Sequence, residues 1–354
     1  YHQEMQVARR AGKTVLRRGA VMAALSAQTS SICVCGTHGK TTTASMIAHI
    51  LARAGKNPSF CIGGQAPTLG ALSARGRGED FVMEADESDG SLAGYTPAIA
   101  VVTNIDFDHA EHFKDMASVR LCFARMARRV RGRIIYCRDD PGARRLLDKI
   151  RKGISYGFEP GADLRLRNYR ATARGLECVL SMRGRRLGKI RLPFPGRHNA
   201  LNAAAALVAG LELGAPFAAG QAAIERFAGV ARRFEFRGET GGITFVDDYA
   251  HLPTEVEAAL EAASEGAWGR VVCVFQPHRF SRIADLWQDF GGAFGEADRL
   301  VVTDIYPAGE APRPGISGKL IVNAVLDADP WRPLAYLPKR PDLVPYLSSV
   351  LRPG

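Results

Sequence analysis

The chain has 354 residues, of which 46% are hydrophobic and 23% charged, and its formal net charge is +11. This length allows about two or three domains with cores of their own. No apolar run approaches the roughly 20 residues that cross a bilayer, and the polar, basic stretch 1–18 argues against a secretory signal. The seven cysteines show neither C-x-x-C nor metal-finger spacing, so we predict reduced thiols in a cytoplasmic protein without a membrane partner.

The positive charge raises the question of nucleic-acid binding. The arginines are spread along the chain, and the two small clusters at 125–131 and 183–191 lack the interleaved aromatic residues that stack on bases. We therefore predict no nucleic-acid partner and interpret the arginines as solvated helix faces or as contacts to anionic small substrates. A basic, nucleic-acid-dependent NTPase remains the alternative, and it requires an activity that responds to salt and to DNA or RNA.

The pattern of apolar residues predicts one short helix at 15–27 and then strands that alternate with helices. The strands predicted first lie at 32–35, 81–84, 98–104 and 133–137. This alternation is typical of a largely parallel sheet with helices on both faces. The elements predicted next are β-hairpins within 163–192, with a turn at 183–185, and helices at 200–213 and 217–227.

A second alternation of strands and helices begins after Gly229, with strands predicted at 243–247, 270–276 and 300–305. We therefore place the main domain boundary near 229. The predicted organisation is a segment 1–30 with too little core to stand alone, a central domain at 31–228 and a C-terminal domain at 229–354. The fold class is α/β, with a P-loop-type parallel-sheet ATPase domain followed by a second, Rossmann-like open α/β domain.

The stretch 32–43 contains an apolar strand, a glycine-bounded turn and the start of a helical pattern. Backbone N–H groups converge at such a turn, and the helix N-terminus adds partial positive charge. The Lys40 ammonium can reach β- and γ-phosphates, and the Thr41 hydroxyl can ligate Mg²⁺. The match to the general P-loop pattern is incomplete, because Val34 stands where a glycine is usual. A glycine-rich turn that merely caps a helix is the alternative.

Polar residues follow several predicted strands directly, at the sheet edge where ligands of open α/β proteins bind. Glu84 ends one strand and is a candidate Mg²⁺ ligand, since one or two carboxylates suffice for this ion. His109 follows the next strand and is a candidate ligand of a second divalent ion, with Asp108 and His112 as weaker choices. The alternative readings are a solvated acidic turn and an ordinary histidine.

Asn199 and Asn202 lie three residues apart at the start of a predicted helix, on one face, where they can serve an adenine or its phosphates. Simple N-capping by Asn199 is the alternative. In the second domain, Arg279 and Arg282 are three residues apart beside His278, which is a suitable clamp for a carboxylate. Paired surface salt bridges are the alternative there.

Eight motifs occur in one order: G-T-H-G-K-T-T-T, E-A-D-E-S-D-G-S, T-N-I-D-F-D-H, G-R-H-N-A-L-N, G-V-A-R-R-F-E-F, D-D-Y-A-H-L-P-T-E, F-Q-P-H-R-F-S-R and D-I-Y-P-A-G-E. Together they resemble the signature of the Mur ligases, over residues 10–354. Within that family they resemble the members that join L-alanine to UDP-N-acetylmuramate. The resemblance implies an ATP-dependent ligase of peptidoglycan synthesis that forms an acyl phosphate on the lactyl carboxylate. The ligands that the resemblance implies are ATP, two Mg²⁺ ions, UDP-N-acetylmuramate and L-alanine.

The resemblance also implies roles for individual residues. Catalysis falls to Lys40, Glu84, His109, Arg233 and Asp248, and one Mg²⁺ is held by Thr41 and Glu84 while a second is held by His109. The nucleotide contacts are Gly36, Thr37, His38, Gly39, Lys40, Thr41, Thr42, Asn199, Asn202 and Asp304. The substrate contacts are His251, His278, Arg279 and Arg282.

Three departures from the family pattern stand out. Family members carry an N-terminal domain that grips the uridine nucleotide, and 1–30 resembles only its remnant or a linker. The expected final strand does not follow residue 354, and Leu252 replaces the usual second histidine of its motif. The alternatives within this reading are a muropeptide-recycling ligase that adds a tripeptide, and a non-catalytic ATP-binding fragment. We expect a monomer or a weak homodimer.

Overall fold

The computed structural model describes residues 3–109, 112–172, 175–266 and 268–354. The first part of the chain forms a ten-stranded sheet whose strands lie in the order β10-β9-β8-β7-β6-β5-β1-β4-β2-β3. Its strands are β1 (Ser30–Cys35), β2 (Ser59–Cys61), β3 (Ser73–Ala74), β4 (Asp80–Glu84), β5 (Ile99–Val102), β6 (Arg133–Cys137), β7 (Gly153–Gly157), β8 (Leu164–Thr172), β9 (Gly175–Met182) and β10 (Arg185–Leu192). The centre is parallel, whereas β3, β9 and β10 pair antiparallel with their neighbours.

Helices cover both faces of this sheet. They are α1 (Gln3–Arg10), α2 (Arg18–Gln28), α3 (Lys40–Arg53), α4 (Met116–Arg129), α5 (Pro141–Leu147), α6 (Arg197–Glu212) and α7 (Phe217–Glu225). Because successive side chains of a strand point to opposite faces, β1 sends Ile32 and Val34 into the core under α3, α6 and α7, and Cys33 and Cys35 into the core under α2, α4 and α5. A strand buried on both faces is therefore apolar throughout.

The rest of the chain contains two smaller sheets. The strands β11 (Glu235–Thr240) and β12 (Ile243–Asp247) form an antiparallel pair, and β13 (Val272–Phe275), β14 (Arg299–Val302) and β15 (Leu334–Tyr336) form a parallel sheet. The helices here are α8 (Pro253–Ser264), α9 (Phe280–Leu286), α10 (Lys319–Ala328) and α11 (Arg340–Val350). A third core fills this part of the molecule. A cavity of about 750 Å³ lies beside β12 and β13, and Asp248, His251 and His278 contribute to its lining.

The structure confirms the predicted α/β class and most of the predicted elements, and it corrects several boundaries. The predicted helix at 15–27 is wrong at its start, since α2 begins only at Arg18 and the separate helix α1 precedes it. Gly12, with φ +66°, follows α1, and the segment between the helices contains the β-branched residues Thr14 and Val15. No described helix is long and apolar enough to cross a bilayer.

Two further boundaries differ from the predicted ones. The strand predicted at 98–104 ends at Val102, because the side chains of Thr103 and Asn104 bind the carbonyl of His38. The helix predicted at 200–213 begins earlier, at Arg197, after the positive-φ residue Gly196. Asn199 therefore lies inside the helix, and the alternative of simple N-capping by Asn199 is wrong.

Candidate active site

The loop between β1 and α3 needs glycine at both of its ends. Gly36 has φ +132°, and a Cβ atom there would lie 2.1 Å from the Thr103 hydroxyl oxygen. Gly39 has φ +77°, and a Cβ atom there would lie 2.6 Å from the Asn202 side-chain oxygen. The loop is thus pressed against the end of β5 on one side and against α6 on the other. Its last residue precedes the N-terminus of α3, which is the favourable place for an anion.

Side chains beyond the end of β5 fix the path of this loop. The Asn104 amide accepts a hydrogen bond from the His38 N–H at 2.8 Å and donates one to the His38 carbonyl at 3.0 Å. The Thr103 hydroxyl donates to the same carbonyl at 2.5 Å. The Thr37 hydroxyl donates to the Asp106 carbonyl at 3.2 Å and accepts from its N–H at 2.9 Å. The sequence analysis placed Asn104 at a strand end but gave it no role in the site.

The Lys40 ammonium is held inside the loop. Its Nζ donates to the carbonyl oxygens of Gly36 at 2.6 Å and Thr37 at 3.3 Å, and to the two carboxylate oxygens of Glu87 at 2.9 and 3.1 Å. Only 3% of the Glu87 side chain is exposed. Burial works to lower the pKa of Lys40, but the charge and hydrogen bond of Glu87, together with the charges of Asp86 and Glu84, outweigh it and raise this pKa above its ordinary value. The ammonium is therefore charged, and Glu87 is its partner.

Thr41 and Glu84 form a pair of hard oxygen ligands beside the loop. The Thr41 hydroxyl donates to Glu84 Oε1 at 3.0 Å, and the Gly63 N–H donates to Glu84 Oε2 at 2.8 Å. A Cβ atom on Gly63 would lie 2.9 Å from that second oxygen, so the carboxylate is closely framed. A hydroxyl and a carboxylate match the preference of Mg²⁺ for oxygen. This donor set therefore fits the ion that the sequence predicts.

His109 lies with a different pair of acidic residues. Its ring, Asp86 and Glu87 each offer one ligand atom, and these three atoms lie within 4.8 Å of one another. His109 Nε2 is also 3.4 Å from Asp108 Oδ2. The structure thus groups His109 with Asp86 and Glu87, whereas Glu84 lies with Thr41. The run of acids after β4 was the signal for Asp86 and Glu87, but the pattern alone does not say which of them faces the site.

The helix residues predicted to serve the nucleotide are buried. Thr42 lies in the first turn of α3, and 5% of it is exposed. The Asn202 side-chain oxygen accepts from the Thr43 hydroxyl at 3.2 Å and lies next to Gly39, so it supports the loop from behind. The Asn199 amide donates to the Pro195 carbonyl at 2.8 Å.

Arg233 lies on the segment that enters the second half of the chain. Asp248 holds this segment, because its carboxylate accepts from the N–H groups of Phe234 and Ala250, both at 2.7 Å. Burial raises the pKa of Asp248. The Arg233 guanidinium points toward α8, where its Nη1 is 3.7 Å from Glu255 Oε1. Asp248 thus holds the backbone next to Arg233 in place.

The predicted substrate contacts form a second group. The rings of His251 and His278 lie 5.6 Å apart, and Arg282 Nη1 is 3.0 Å from His278 Nδ1. Burial, together with the charge of Arg282, lowers the pKa of His278 to about 4, so this imidazole is neutral near pH 7. Arg282 also reaches Asp108 at 3.4 Å. Arg282, which was predicted to clamp a substrate carboxylate, therefore contacts the carboxylate of Asp108 in the loop after β5.

Arg279 and Asp304 occupy the loops after β13 and β14. Arg279 has φ +67°, and its N–H donates to the Tyr306 carbonyl at 2.9 Å. The Asp304 carboxylate accepts from the N–H groups of Ile305 at 2.9 Å and Gly318 at 3.1 Å. These backbone contacts show Asp304 shaping its own loop.

Glu255, which the sequence analysis did not select, joins the two halves of the site. Its Oε1 is 3.1 Å from His38 Nδ1, and the other ring nitrogen of His38 lies 3.1 Å from the Thr254 hydroxyl and 3.6 Å from Asp106 Oδ2. Burial works to lower the pKa of His38, but the contacts with Asp106 and Glu255 outweigh it and raise this pKa to about 9. Glu255 is the last residue of the motif D-D-Y-A-H-L-P-T-E, but a glutamate three residues into a helix suggests only capping, so the pattern assigned it no role in the site.

Comparison with known families agrees with this geometry. Residues 34–210 match the model of the Mur ligase middle domain, and residues 232–354 match the model described as Mur ligase, glutamate ligase domain. The first match covers the mainly parallel sheet and the loop between β1 and α3 (36–39), which we call the phosphate loop after its predicted role. The second match covers the smaller α/β unit, which contains Arg233. The chain belongs to the Mur ligase family.

Two relatives with similar sequences share one enzyme name. The chain is 41% identical to the UDP-N-acetylmuramate–L-alanine ligase of Pelotomaculum thermopropionicum, over 99% of this chain and 77% of the relative. It is 42% identical to the ligase of the same name from a Geobacter species, over 96% of this chain and 74% of the relative. The chain thus spans about three quarters of the length of these proteins.

Solved structures show the same fold. The UDP-N-acetylmuramate-alanine ligase MurC of Thermotoga maritima superposes with a TM-score of 0.80 at 27% identity, covering 98% of this chain and 75% of that one. MurF ligase from the same organism, solved in complex with ADP, superposes with a TM-score of 0.72 at 19% identity, covering 96% of this chain and 79% of that one. The second likeness concerns the fold alone.

Proposed function

We propose that this protein ligates L-alanine to the lactyl carboxylate of UDP-N-acetylmuramate, with conversion of ATP to ADP and phosphate, in the synthesis of peptidoglycan precursors. The observation that carries the proposal is the set of Lys40, Thr41 and Glu84 at one sheet edge, opposite Arg233, in a chain 41% identical to a ligase of that name. We propose a cytoplasmic location as well, with seven free cysteines in support.

The reaction has two steps. A carboxylate oxygen of the sugar substrate attacks the γ-phosphorus of ATP, the bond to the β-phosphate oxygen breaks, and ADP leaves. The amine of L-alanine then attacks the carbonyl carbon of the acyl phosphate, a proton leaves the nitrogen, and phosphate departs as the amide forms. Both nucleophiles belong to the substrates, so the protein contributes positioning, worth about 7–11 kcal/mol of the barrier, and charge stabilisation.

Individual side chains have separate tasks in this scheme. Lys40 neutralises the transferring phosphoryl group, and Arg233 adds a second positive charge from the other unit. Thr41 and Glu84 would hold Mg²⁺, with His109 the proposed ligand of a second ion; bound there, Mg²⁺ supplies charge neutralisation of the phosphate oxygens. Asn199 and Asn202 support the nucleotide side, while His251, His278, Arg279 and Arg282 orient the carboxylate and the amine.

The domain organisation is also proposed. The division into 1–30, 31–228 and 229–354 is supported by the change of sheet after Leu192 and by the gap between the two matched ranges, which contains residue 229. We propose a monomer or a weak homodimer in solution.

The deciding experiment measures phosphate release from ATP and Mg²⁺ by the 354-residue chain in the presence of UDP-N-acetylmuramate, in parallel reactions with L-alanine, with a tripeptide and with no amine. We expect release that requires both substrates and a product with the mass of the alanyl conjugate. A product formed only with a tripeptide would identify the recycling ligase instead. ATP binding without ligation under every condition would support the non-catalytic alternative.

A further inference from the structure

Helix α8 belongs to the part of the chain after residue 229, here called the second unit. Both of its ends contact the first unit, which is the ten-stranded sheet with its helices. At its start, Glu255 reaches His38 in the phosphate loop at 3.1 Å. Just past its end, the Glu265 carboxylate accepts hydrogen bonds from the Tyr169 hydroxyl and, at 3.2 Å, from the Gly196 N–H. Gly196 immediately precedes α6, the helix of Asn199 and Asn202. One helix of the second unit therefore lies across both pieces of the proposed nucleotide site.

The two carboxylate oxygens of Glu255 serve different groups. Oε2 accepts from the N–H groups of His251 at 3.0 Å and Leu252 at 3.3 Å, which satisfies the start of α8. Oε1 faces His38 Nδ1 at 3.1 Å and Arg233 Nη1 at 3.7 Å. Only 9% of this side chain is exposed. Helix capping accounts for one oxygen and leaves the contacts of the other unexplained.

Glu255 Oε1 contacts two groups that take part in the proposed mechanism. His38 is in the middle of the phosphate loop, and Arg233 is the cation that the second unit supplies. The buried carboxylate makes a charge-assisted hydrogen bond with His38 at 3.1 Å and an ion pair with Arg233 at 3.7 Å, so it restrains both side chains. Since α8 belongs to the second unit, this arrangement exists only while the two units are docked.

We propose that Glu255 is a positioning residue for phosphoryl transfer, which sets His38 and Arg233 on one carboxylate and so couples docking of the second unit to the working shape of the phosphate loop. The proposal rests on the proposed function and deepens it. The backbone donors of the loop and Lys40 belong to the first unit, so ATP binding does not require Glu255. The transfer step does require it.

The test compares Glu255→Gln, which keeps the size of the side chain and one accepting oxygen, with Glu257→Gln, an exposed glutamate on the same helix. We expect Glu255→Gln to lower kcat at least about tenfold while the Kd for ATP, measured by equilibrium binding, changes less than about twofold. Glu257→Gln should leave both values unchanged. Normal kcat in Glu255→Gln, or a parallel loss of ATP affinity, would overturn the proposal.

A double-mutant cycle with His38→Gln separates coupling from two independent losses. If Glu255 acts through His38, the double variant has a kcat no lower than about the worse of the two single variants. Multiplicative losses would contradict the proposed coupling.

A measurement without substrates keeps this inference separate from the proposed function. The titration of the His38 imidazole is followed by NMR in the wild-type protein and in both glutamine variants. We expect the midpoint to fall by more than about one pH unit in Glu255→Gln and to stay in place in Glu257→Gln.

The charged and titratable groups near His38 are Asp106, Asp140, His198, Arg233 and Glu255. An unchanged midpoint would overturn the inference even if the wild-type protein ligates alanine, and a wild-type protein without ligase activity would refute the proposed function alone.

Discussion

Single atoms decide the shape of the phosphate loop. Gly36 combines a positive φ with a neighbour that leaves no room for a side chain, since a Cβ atom would lie 2.1 Å from the Thr103 oxygen. Gly55 also has a positive φ, but nothing lies within 4 Å of a Cβ atom there. Gly55 therefore reports the cost of a positive φ without a close contact, whereas Gly36 adds both the contact and a φ of +132°, which lies outside the left-handed helical region.

We predict that Gly36→Ala destabilises the protein well beyond Gly55→Ala, which should cost only about 1 kcal/mol. The reason is that the alanine at 36 must push Thr103 away from the His38 carbonyl. Denaturant unfolding of both variants measures the difference, and ATP binding should be lost in Gly36→Ala alone. Equal losses of stability would show that the contact with Thr103 yields easily.

Lys40 and Glu87 form a buried ion pair, and replacing each of them should have different effects on turnover and on stability. We predict that Lys40→Met abolishes turnover and also costs about 3 kcal/mol of stability, because Glu87 is left buried without its cation. Adding Glu87→Gln should restore part of the stability and none of the turnover. Phosphate release and denaturant unfolding give the two readouts. Turnover that survives in Lys40→Met would refute its role.

The phosphate loop and Glu84 could be predicted from the sequence because each follows an apolar strand closely. Glu87 and Glu255 could not be selected in that way. Glu87 stands among several acids after β4, and only the fold shows which one meets Lys40. Glu255 meets His38 across 217 positions of the chain, a separation that no local pattern reports.

At the scale of elements, the predictions succeeded where a strand or helix is buried on a regular face. The strands β1, β4 and β6 lie where the apolar runs predicted them, because neighbours on both sides cover them. The start of α2 was missed because the apolar pattern extends back to Val15, whereas the helix begins only at Arg18, after Arg17 with its extended backbone. Apolar spacing alone does not report that change of backbone conformation.

The contact between α8 and the phosphate loop makes stability depend on pH. The pKa of His38 is raised from 6.5 to about 9, so its contribution is fully present below about pH 6.5 and is lost as the pH rises through 9. We predict that the wild-type protein exceeds His38→Gln in unfolding free energy by up to about 3 kcal/mol at pH 6. The difference should shrink steadily toward pH 10, which denaturant unfolding at several pH values would show. A constant difference would contradict the charged state of His38.

The whole molecule combines a formal net charge of +11 with a proposed binding site for the phosphates of ATP. Anything that binds only the folded state raises the unfolding free energy by mass action, about 2.7 kcal/mol at a concentration 100 times its Kd. We predict that ATP with Mg²⁺ raises the melting temperature and that Lys40→Met does not respond. Duplex DNA at the same phosphate concentration should have no effect. Stabilisation by DNA would support the nucleic-acid alternative.

The alternation of strands and helices on either side of residue 229 could be predicted from the sequence, because apolar runs and helical patterns recur in both parts. The way they meet was not predictable. The contacts of Arg282 with Asp108 and of Glu255 with His38 join motifs that are far apart in the chain. In the second part, the strand predicted at 243–247 pairs antiparallel with β11 and not with the parallel sheet of β13, β14 and β15, a choice that depends on tertiary packing.

The partners of Lys40 also bear on which anions the loop prefers. An ammonium has three N–H donors, and here they already serve Gly36, Thr37 and Glu87. A phosphate that binds at Lys40 must therefore replace one of these protein partners. Its affinity is the difference in free energy between Lys40 bound to phosphate and Lys40 bound to its protein partners. A singly charged anion gains little from such an exchange, whereas a polyphosphate gains more because its charge is greater. The loop thus discriminates by charge before any base or sugar is contacted.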